Sequence, residues 1–156
     1  MVAYTDSLGI NKGSIALASS YTNRFMVMEY TIDFAKIAAA RLAAGATALA
    51  NTDTLVLATL PKGSYIVGGS VKLLKAEGAT SSIDIGVPGT TTLLANAFAC
   101  NDPVGTMVGT TTARFLTADT TVVMTVNTAS MDVAKVLLSI IVIDAGTNPG
   151  SIPNAT

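Results

Sequence analysis

The sequence predicts an all-β protein built from a single β-sandwich or jelly-roll-like domain. One segment alternates apolar and polar residues with a period of two, and several short, threonine-rich segments follow, separated by turn residues. A length of 156 residues suits one domain with its own core. We expect this domain to span residues 25–145, between an N-terminal arm of residues 1–24 and a C-terminal tail of residues 146–156.

The first strand and a short helix are predicted next to each other. Apolar residues occupy every second position from Met26 to Phe34, as in a strand with one buried face. Asp33 is suited to cap an alanine-rich helix that Gly45 would end. An extended connection is the alternative for this alanine-rich segment.

A turn at Pro61–Gly63 separates two further predicted strands, Thr54–Leu60 and Tyr65–Glu77. Proline pre-sets the first turn position and glycine closes the turn, so we interpret the unit as a hairpin. Gly68 and Gly69 early in the second arm indicate a β-bulge or a close backbone approach.

The remaining strands are predicted at Ser81–Val87, Ala113–Ala118, Thr120–Asn127 and Lys135–Asp144. The last of them is aliphatic on both faces from Val136 to Ile143, as in a central strand buried on two sides. Two interpretations stay open for this strand: both faces belong to the core, or one face meets another subunit.

A long stretch from Pro88 to Thr112 lies between two of these strands. It is too long for a hairpin and too apolar, at Leu93, Leu94 and Phe98, for a free linker. We therefore expect it to cover a sheet edge or to contact a neighbouring molecule through these three residues.

The N-terminal arm carries isolated apolar residues without the period of a strand or a helix. Such a segment cannot bury enough of itself to fold alone. A frayed terminus is one interpretation; the other is an arm that becomes ordered on a partner. The predicted contact residues of the arm are Tyr4, Leu8, Ile10, Leu17, Tyr21 and Arg24.

Charged residues make up only 12% of the chain, whereas hydrophobic residues make up 50%. A compact monomer of this mass exposes about 7,300 Å², which leaves one charged side chain per roughly 380 Å². Average domains carry about twice this charged fraction. The sparse charge and the net charge of -1 indicate a surface that is covered by protein contacts, and hence an oligomer.

Most enzyme and metal chemistry is disfavoured by the residues that are missing. The chain has no histidine, which excludes histidine triads and histidine-bound metals, and one cysteine, Cys100, which excludes a multi-thiolate zinc site. Asp84, Asp102 and Asp119 could act as acids or bases, but aspartates in loop-like sequence are more often turn formers. We predict no enzymatic activity, no cofactor and no transition metal; calcium bound by aspartates stays open.

Nucleic acid and membranes are equally disfavoured as partners. The basic residues do not cluster, and aromatic residues make up only 5% of the chain. The longest aliphatic run, Val136–Ile143, is far shorter than the roughly 20 residues that cross a bilayer. No basic region followed by an apolar one opens the chain, so we expect no secretory signal and synthesis in the cytoplasm.

Four segments in the middle of the chain resemble virion structural proteins of tailed bacteriophages, specifically small capsid decoration or cement proteins. The resemblance covers roughly residues 28–144 and depends on the order of the segments rather than on one invariant motif. These segments are Met28–Ala35, Asn51–Leu57, Leu60–Val71 and Ser82–Gly86.

The resemblance implies a β-sandwich or jelly-roll subunit, a homotrimer without catalytic residues. It also implies a position on the outside of the head, where the subunit clamps neighbouring copies of the major capsid protein. A tail, neck or head-fibre component is the alternative within the virion. A host-surface carbohydrate-binding module is an alternative of another class, disfavoured by the absence of tryptophan and the scarcity of other aromatic residues.

Overall fold

Two antiparallel β-sheets enclose one hydrophobic core, which confirms the predicted all-β sandwich. The computed structural model describes the backbone of residues 4–5, 10–16, 24–110 and 112–144, and the side chains of residues 26–110 and 112–143. Among these described residues, the larger sheet has seven strands and the smaller sheet four. The predicted tail of residues 146–156 lies outside the described residues.

The strands are numbered in chain order. The larger sheet contains β1 (Tyr4–Thr5), β2 (Ile10–Ala16), β3 (Arg24–Asp33), β5 (Ser64–Lys75), β8 (Met107–Thr110), β9 (Arg114–Phe115) and β11 (Lys135–Asp144). The smaller sheet contains β4 (Thr54–Leu60), β6 (Ser82–Val87), β7 (Thr90–Ala99) and β10 (Thr120–Val126). One helix, α1 (Phe34–Ala43), connects β3 to β4.

The pairing of these strands is that of a jelly roll. From β3 onward, the first strand pairs with the last (β3 with β11) and the second with the second to last (β4 with β10). Moving inward, β5 pairs with β8 and β9, and β6 pairs with β7. This nested order is a long hairpin folded over into two sheets, the arrangement found in viral capsid and lectin domains.

Strand β11 is the central strand of the larger sheet, as its aliphatic sequence predicts. It pairs with β3 on one side and β5 on the other along its full length. Val136, Leu138, Ile140 and Val142 point into the core and have no exposed surface. A register shift opposite Ile141 and Val142 makes the bulge that Gly68 and Gly69 predict in β5.

The alanine-rich segment forms a helix rather than an extended connection. The Asp33 carboxylate accepts a hydrogen bond from the Lys36 N–H at 3.3 Å, and Gly45 takes a positive φ of 77° just beyond the last turn. After the helix, Arg41 forms an ion pair with Asp53 at 3.2 Å and donates from Nε to the carbonyl oxygen of Thr47. These contacts hold the connection into β4.

The predicted hairpin at Pro61–Gly63 is wrong. Its two arms belong to different sheets, because β4 pairs with β10 whereas β5 pairs with β11. The turn itself exists and is held by Asp119, which accepts a hydrogen bond from the Lys62 N–H at 2.8 Å. A proline–glycine turn specifies a chain reversal but not which strands pair across it, so the sequence could not distinguish a hairpin from a corner between sheets.

The expectation that Pro88–Thr112 is too long to form part of a hairpin is also wrong. Strands β6 and β7 form a hairpin that turns at Gly89, where φ is 81°. The pairing has two register shifts, and Ala97 takes a positive φ of 47°. These irregularities remove the clean alternation that would have revealed β7 in the sequence.

Part of the segment predicted as an arm continues the larger sheet. The backbone of β2 pairs with β3 over seven residues, and the short β1 pairs with β2. The strand predicted at Ala113–Ala118 is much shorter than expected and comprises only Arg114 and Phe115.

Candidate interaction surface

Two of the three aspartates that could act as acids or bases, Asp84 and Asp119, support the fold. The Asp84 carboxylate accepts a hydrogen bond from the Ala97 N–H at 2.6 Å and thereby supports the positive φ of Ala97 in β7. Asp119 holds the turn before β5 in the same way, through the Lys62 N–H. Within residues 26–110 and 112–143, no three histidine, cysteine, aspartate or glutamate side chains come together as metal ligands would.

Cys100 is a buried thiol with no exposed surface. Burial raises its pKa to about 12, and the negative charges of Glu77 and Asp102 act in the same direction. Because the thiolate is the reactive form of cysteine, this environment makes Cys100 inert near neutral pH.

The structure corrects the prediction that Leu93, Leu94 and Phe98 contact a partner. All three lie in β7 and point into the core, with 4%, 0% and 3% of their surface exposed. A loop on the surface gives apolar side chains no core to pack against, which is why the sequence pattern predicts a contact with a partner. In a strand of a sandwich, the same side chains pack against the core.

The contact residues predicted in the arm are described only in part. The backbone of Tyr4 lies in β1, that of Ile10 in β2 and that of Arg24 in β3, whereas their side chains are outside the described residues. Leu8, Leu17 and Tyr21 are outside the described residues altogether. Contact through these six residues stays a prediction.

Exposed apolar side chains gather instead at one edge of the larger sheet. Val104, Met107 and Val108 expose 64%, 63% and 43% of their surface, and Leu74 beside them exposes 37%. Val104 lies next to this edge because the neighbouring Gly105 N–H donates to the carbonyl oxygen of Leu73 at 2.9 Å. We call Leu74, Val104, Met107 and Val108 the edge cluster.

The backbone at this edge is also free to bind. Strand β8 pairs with β5 on one side, and no strand among the described residues pairs with its other side. Its sequence, Met107 to Thr110, contains neither a charged residue nor proline. Monomeric proteins usually protect such an edge with charges, prolines or bulges, because its unpaired N–H and C=O groups can recruit a strand from another chain.

Sequence reasoning missed the edge cluster. The signal was available in the uncharged Met107–Thr110 segment, but only the pairing with β5 identifies that segment as an edge strand. Periodicity over four residues cannot distinguish an edge strand from a loop.

The outer side of the larger sheet is a second candidate surface, and it is apolar along β11. We call it the outer face; in β11 it is formed by Leu137, Ser139, Ile141 and Ile143, which alternate with the buried core residues and are half-buried. At one end of this face, Ile143, Tyr65 and Phe115 form a row across three strands, and Phe115 exposes 53% of its surface.

A depression of about 270 Å³ lies in the middle of the outer face. It arises because Gly68, Ser70 and Ser139 are small, whereas Val27 and Ile141 beside them are larger. The residues that line it are Val27, Val67, Gly68, Gly69, Ser70, Thr110, Ser139 and Ile141. With no ionisable group among them, the depression suits an apolar side chain better than a charged ligand.

The only helix among the described residues, α1, has 10 residues and is too short to span a membrane.

Comparison with known proteins gives fold relatives but no family. No protein-family model matches the chain, and no curated protein sequence matches it. A chain in the capsid asymmetric unit of cyanophage Pam1 superposes with a TM-score of 0.57 at 15% identity, over 85% of this chain and 92% of the other. A chain in the acidic stable capsid structure of Helicobacter pylori bacteriophage KHP30 gives a TM-score of 0.52 at 15% identity, with the same coverage of 85% and 92%.

A chain in the capsid of Ralstonia phage GP4 gives a TM-score of 0.50 at 18% identity, over 86% of this chain and 92% of the other. At identities this low, the superpositions establish a shared fold and nothing about function. The protein therefore has, over most of its length, the same fold as chains of similar extent in three phage capsid structures.

Proposed function

We propose that this protein is a structural component of a tailed-phage virion, a decoration or cement protein that binds the outside of the head and stabilises contacts between major capsid subunits. In this role it is a homotrimer without enzymatic activity. The observation that carries the proposal is the combination of a jelly roll shared with chains in three phage capsids and two exposed apolar regions, the edge cluster and the β11 part of the outer face.

The edge cluster supports the oligomeric part of the proposal. An unprotected edge strand that lies among four exposed apolar side chains is suited to pair with another copy, and such pairing removes these side chains from water. A trimer also multiplies modest contacts with the shell, since release requires all of them to break together.

Two measurements test the function. Sedimentation equilibrium of the purified protein at micromolar concentration is expected to give a trimer, and a monodisperse monomer would contradict the oligomeric part. Co-sedimentation with heads assembled from the major capsid protein of the same genome is expected to show saturable binding. Heads that bind none of the intact protein would refute the decoration role.

Val108→Lys tests whether the edge cluster forms the subunit contact. It places a charge on the free edge strand and is expected to dissociate the oligomer while leaving the fold intact. Val56→Lys is the matched control, because Val56 is an exposed valine (56%) on β4, an edge strand of the smaller sheet. Dissociation by both variants, or by neither, would contradict the assignment of the subunit contact to the edge cluster.

A further inference from the structure

The two outer sides of the sandwich differ in chemistry. In the middle of the smaller sheet, β10 turns Thr121, Val123 and Thr125 outward, so that one aliphatic residue stands between two hydroxyl residues. In the middle of the larger sheet, β11 turns Leu137, Ile141 and Ile143 outward, with only Ser139 between them. Since the solvent side of an antiparallel sheet is normally polar, the aliphatic outer face indicates a covered surface.

Basic side chains mark the other end of the same outer face. Lys75 and Lys135 are directly opposite each other in β5 and β11, and Lys72 lies opposite Leu137, two residues further along β11. Like charges at opposed positions of neighbouring strands repel. Asp33 compensates only Lys135, through an ion pair of 3.3 Å. Among the described residues, no carboxylate oxygen lies within 4 Å of the ammonium groups of Lys72 or Lys75.

The positive charge of these lysines distinguishes two possible partners of the outer face, which are a second copy of this chain and a different protein. Among the described residues, the outer face of a second copy would offer two carboxylates, Glu29 and Asp33, and Asp33 is already paired with Lys135. One remaining carboxylate cannot compensate both Lys72 and Lys75. Charge complementarity therefore favours a partner that differs from this chain and carries more acidic groups.

We propose that the outer face of the larger sheet is the surface that meets the phage head, and that the head presents to it an apolar side chain flanked by acidic residues. The apolar side chain fills the depression beside Ile141, and the carboxylates lie over Lys72 and Lys75. This inference rests on the proposed decoration function and adds to it the face used and the chemistry of the partner.

Ile141→Arg tests the apolar part of this surface. It places a charged, bulky side chain in the depression and is expected to weaken binding to heads, assembled from the major capsid protein of the same genome, by at least 100-fold. Val123→Arg is the matched control, since Val123 is a half-buried aliphatic residue on the outer side of a central strand of the other sheet. It is expected to change the affinity by less than threefold. Circular dichroism and sedimentation equilibrium check that both variants keep their fold and oligomeric state.

The double variant Lys72→Glu/Lys75→Glu tests the charged part. Both lysines are exposed, so this variant is expected to fold even if Ile141→Arg does not. Its binding to the same heads is expected to be at least tenfold weaker at low ionic strength, with the difference shrinking as salt is added.

The outcomes separate the two proposals. If the intact protein binds heads and both outer-face variants bind as tightly, the outer face is not the contact surface, although the decoration function stands. If Ile141→Arg dissociates the oligomer, a second copy occupies the face and the inference is wrong. If the intact protein itself does not bind heads, the decoration function fails and the inference fails with it.

Discussion

Glu77 is a buried carboxyl residue whose hydrogen bonds connect two parts of the sandwich. Its side chain is 7% exposed, and Oε2 accepts hydrogen bonds from the Val133 N–H at 3.1 Å and the Ala134 N–H at 2.9 Å. Its own N–H donates to the carbonyl oxygen of Cys100 at 2.7 Å. The carboxylate thus joins the end of β5 to the loop that leads into β11, the central strand of the larger sheet.

Replacing Glu77 with alanine removes the acceptor of two backbone N–H groups. Ala134 is buried, so its N–H loses a partner without gaining water, whereas Val133 is half-buried and can recover part of its hydrogen bonding. A buried donor left unpaired costs about 1–3 kcal/mol, so Glu77→Ala is expected to lower the free energy of unfolding by about 2–4 kcal/mol. Glu77→Gln keeps a neutral acceptor and should cost about half as much.

Urea unfolding followed by circular dichroism measures these differences, at one protein concentration because dissociation of an oligomer shifts the midpoint. Glu29→Ala is the control, since Glu29 lies half-buried on the outer face with no ion pair among the described residues; it is expected to change the free energy by less than about 0.5 kcal/mol. A loss of less than 0.5 kcal/mol for Glu77→Ala would refute the reasoning.

Two further predictions concern the core. Gly86→Ala is expected to destabilise the fold by about 2–4 kcal/mol, because a methyl group there would overlap the backbone carbonyl oxygens of Thr90 and Thr91, whereas Gly78→Ala, with open space around it, should be neutral in the same urea titration. The pKa of Cys100 is raised from 9.0 to about 12, chiefly by burial, so the unfolded state releases this proton at lower pH than the folded state. The free energy of unfolding should therefore fall as the pH rises from 9 to 12, and Cys100→Ala should remove part of that fall; a pH dependence unchanged by the substitution would contradict the assignment.

The sequence correctly predicts those strands and the helix that a local pattern identifies. The alternation around Met28 and Tyr30 and the aliphatic run of β11 identify two neighbouring strands of the larger sheet, and Asp33 with Gly45 identifies the helix. The same signals fail where pairing is decided by distant residues. The Pro61–Gly63 turn predicts a reversal correctly but not the separation of β4 and β5 into two sheets.

The candidate surface is less predictable for a related reason. Whether an apolar residue is core or contact depends on which side of a strand it occupies, and a one-residue shift reverses that side. The two register shifts place extra residues in β7 and conceal the register that buries Leu93, Leu94 and Phe98, so the sequence pattern predicts these three as contact residues. The pairing of β11 with β3 has no register shift, so alternate residues of β11 keep to the same side. The sequence could therefore indicate, as one of two interpretations, that one face of β11 meets another molecule.

Most carboxylates among the described residues bind groups of the same chain. Residues 26–143 contain eight carboxylates. Five of these bind groups of the same chain: Asp33, Asp53, Glu77, Asp84 and Asp119.

These five carboxylates cap the helix, hold turns and tie loops, so they contribute to the fold rather than to an evenly charged exterior. Few carboxylates then remain to keep the edge cluster and the β11 part of the outer face soluble in a free subunit. A subunit of a permanent assembly does not need charged groups on these surfaces, because a neighbouring molecule covers them. This distribution of charge is the physical reason to look for the partners of the molecule at the β8 edge and on the outer side of the larger sheet.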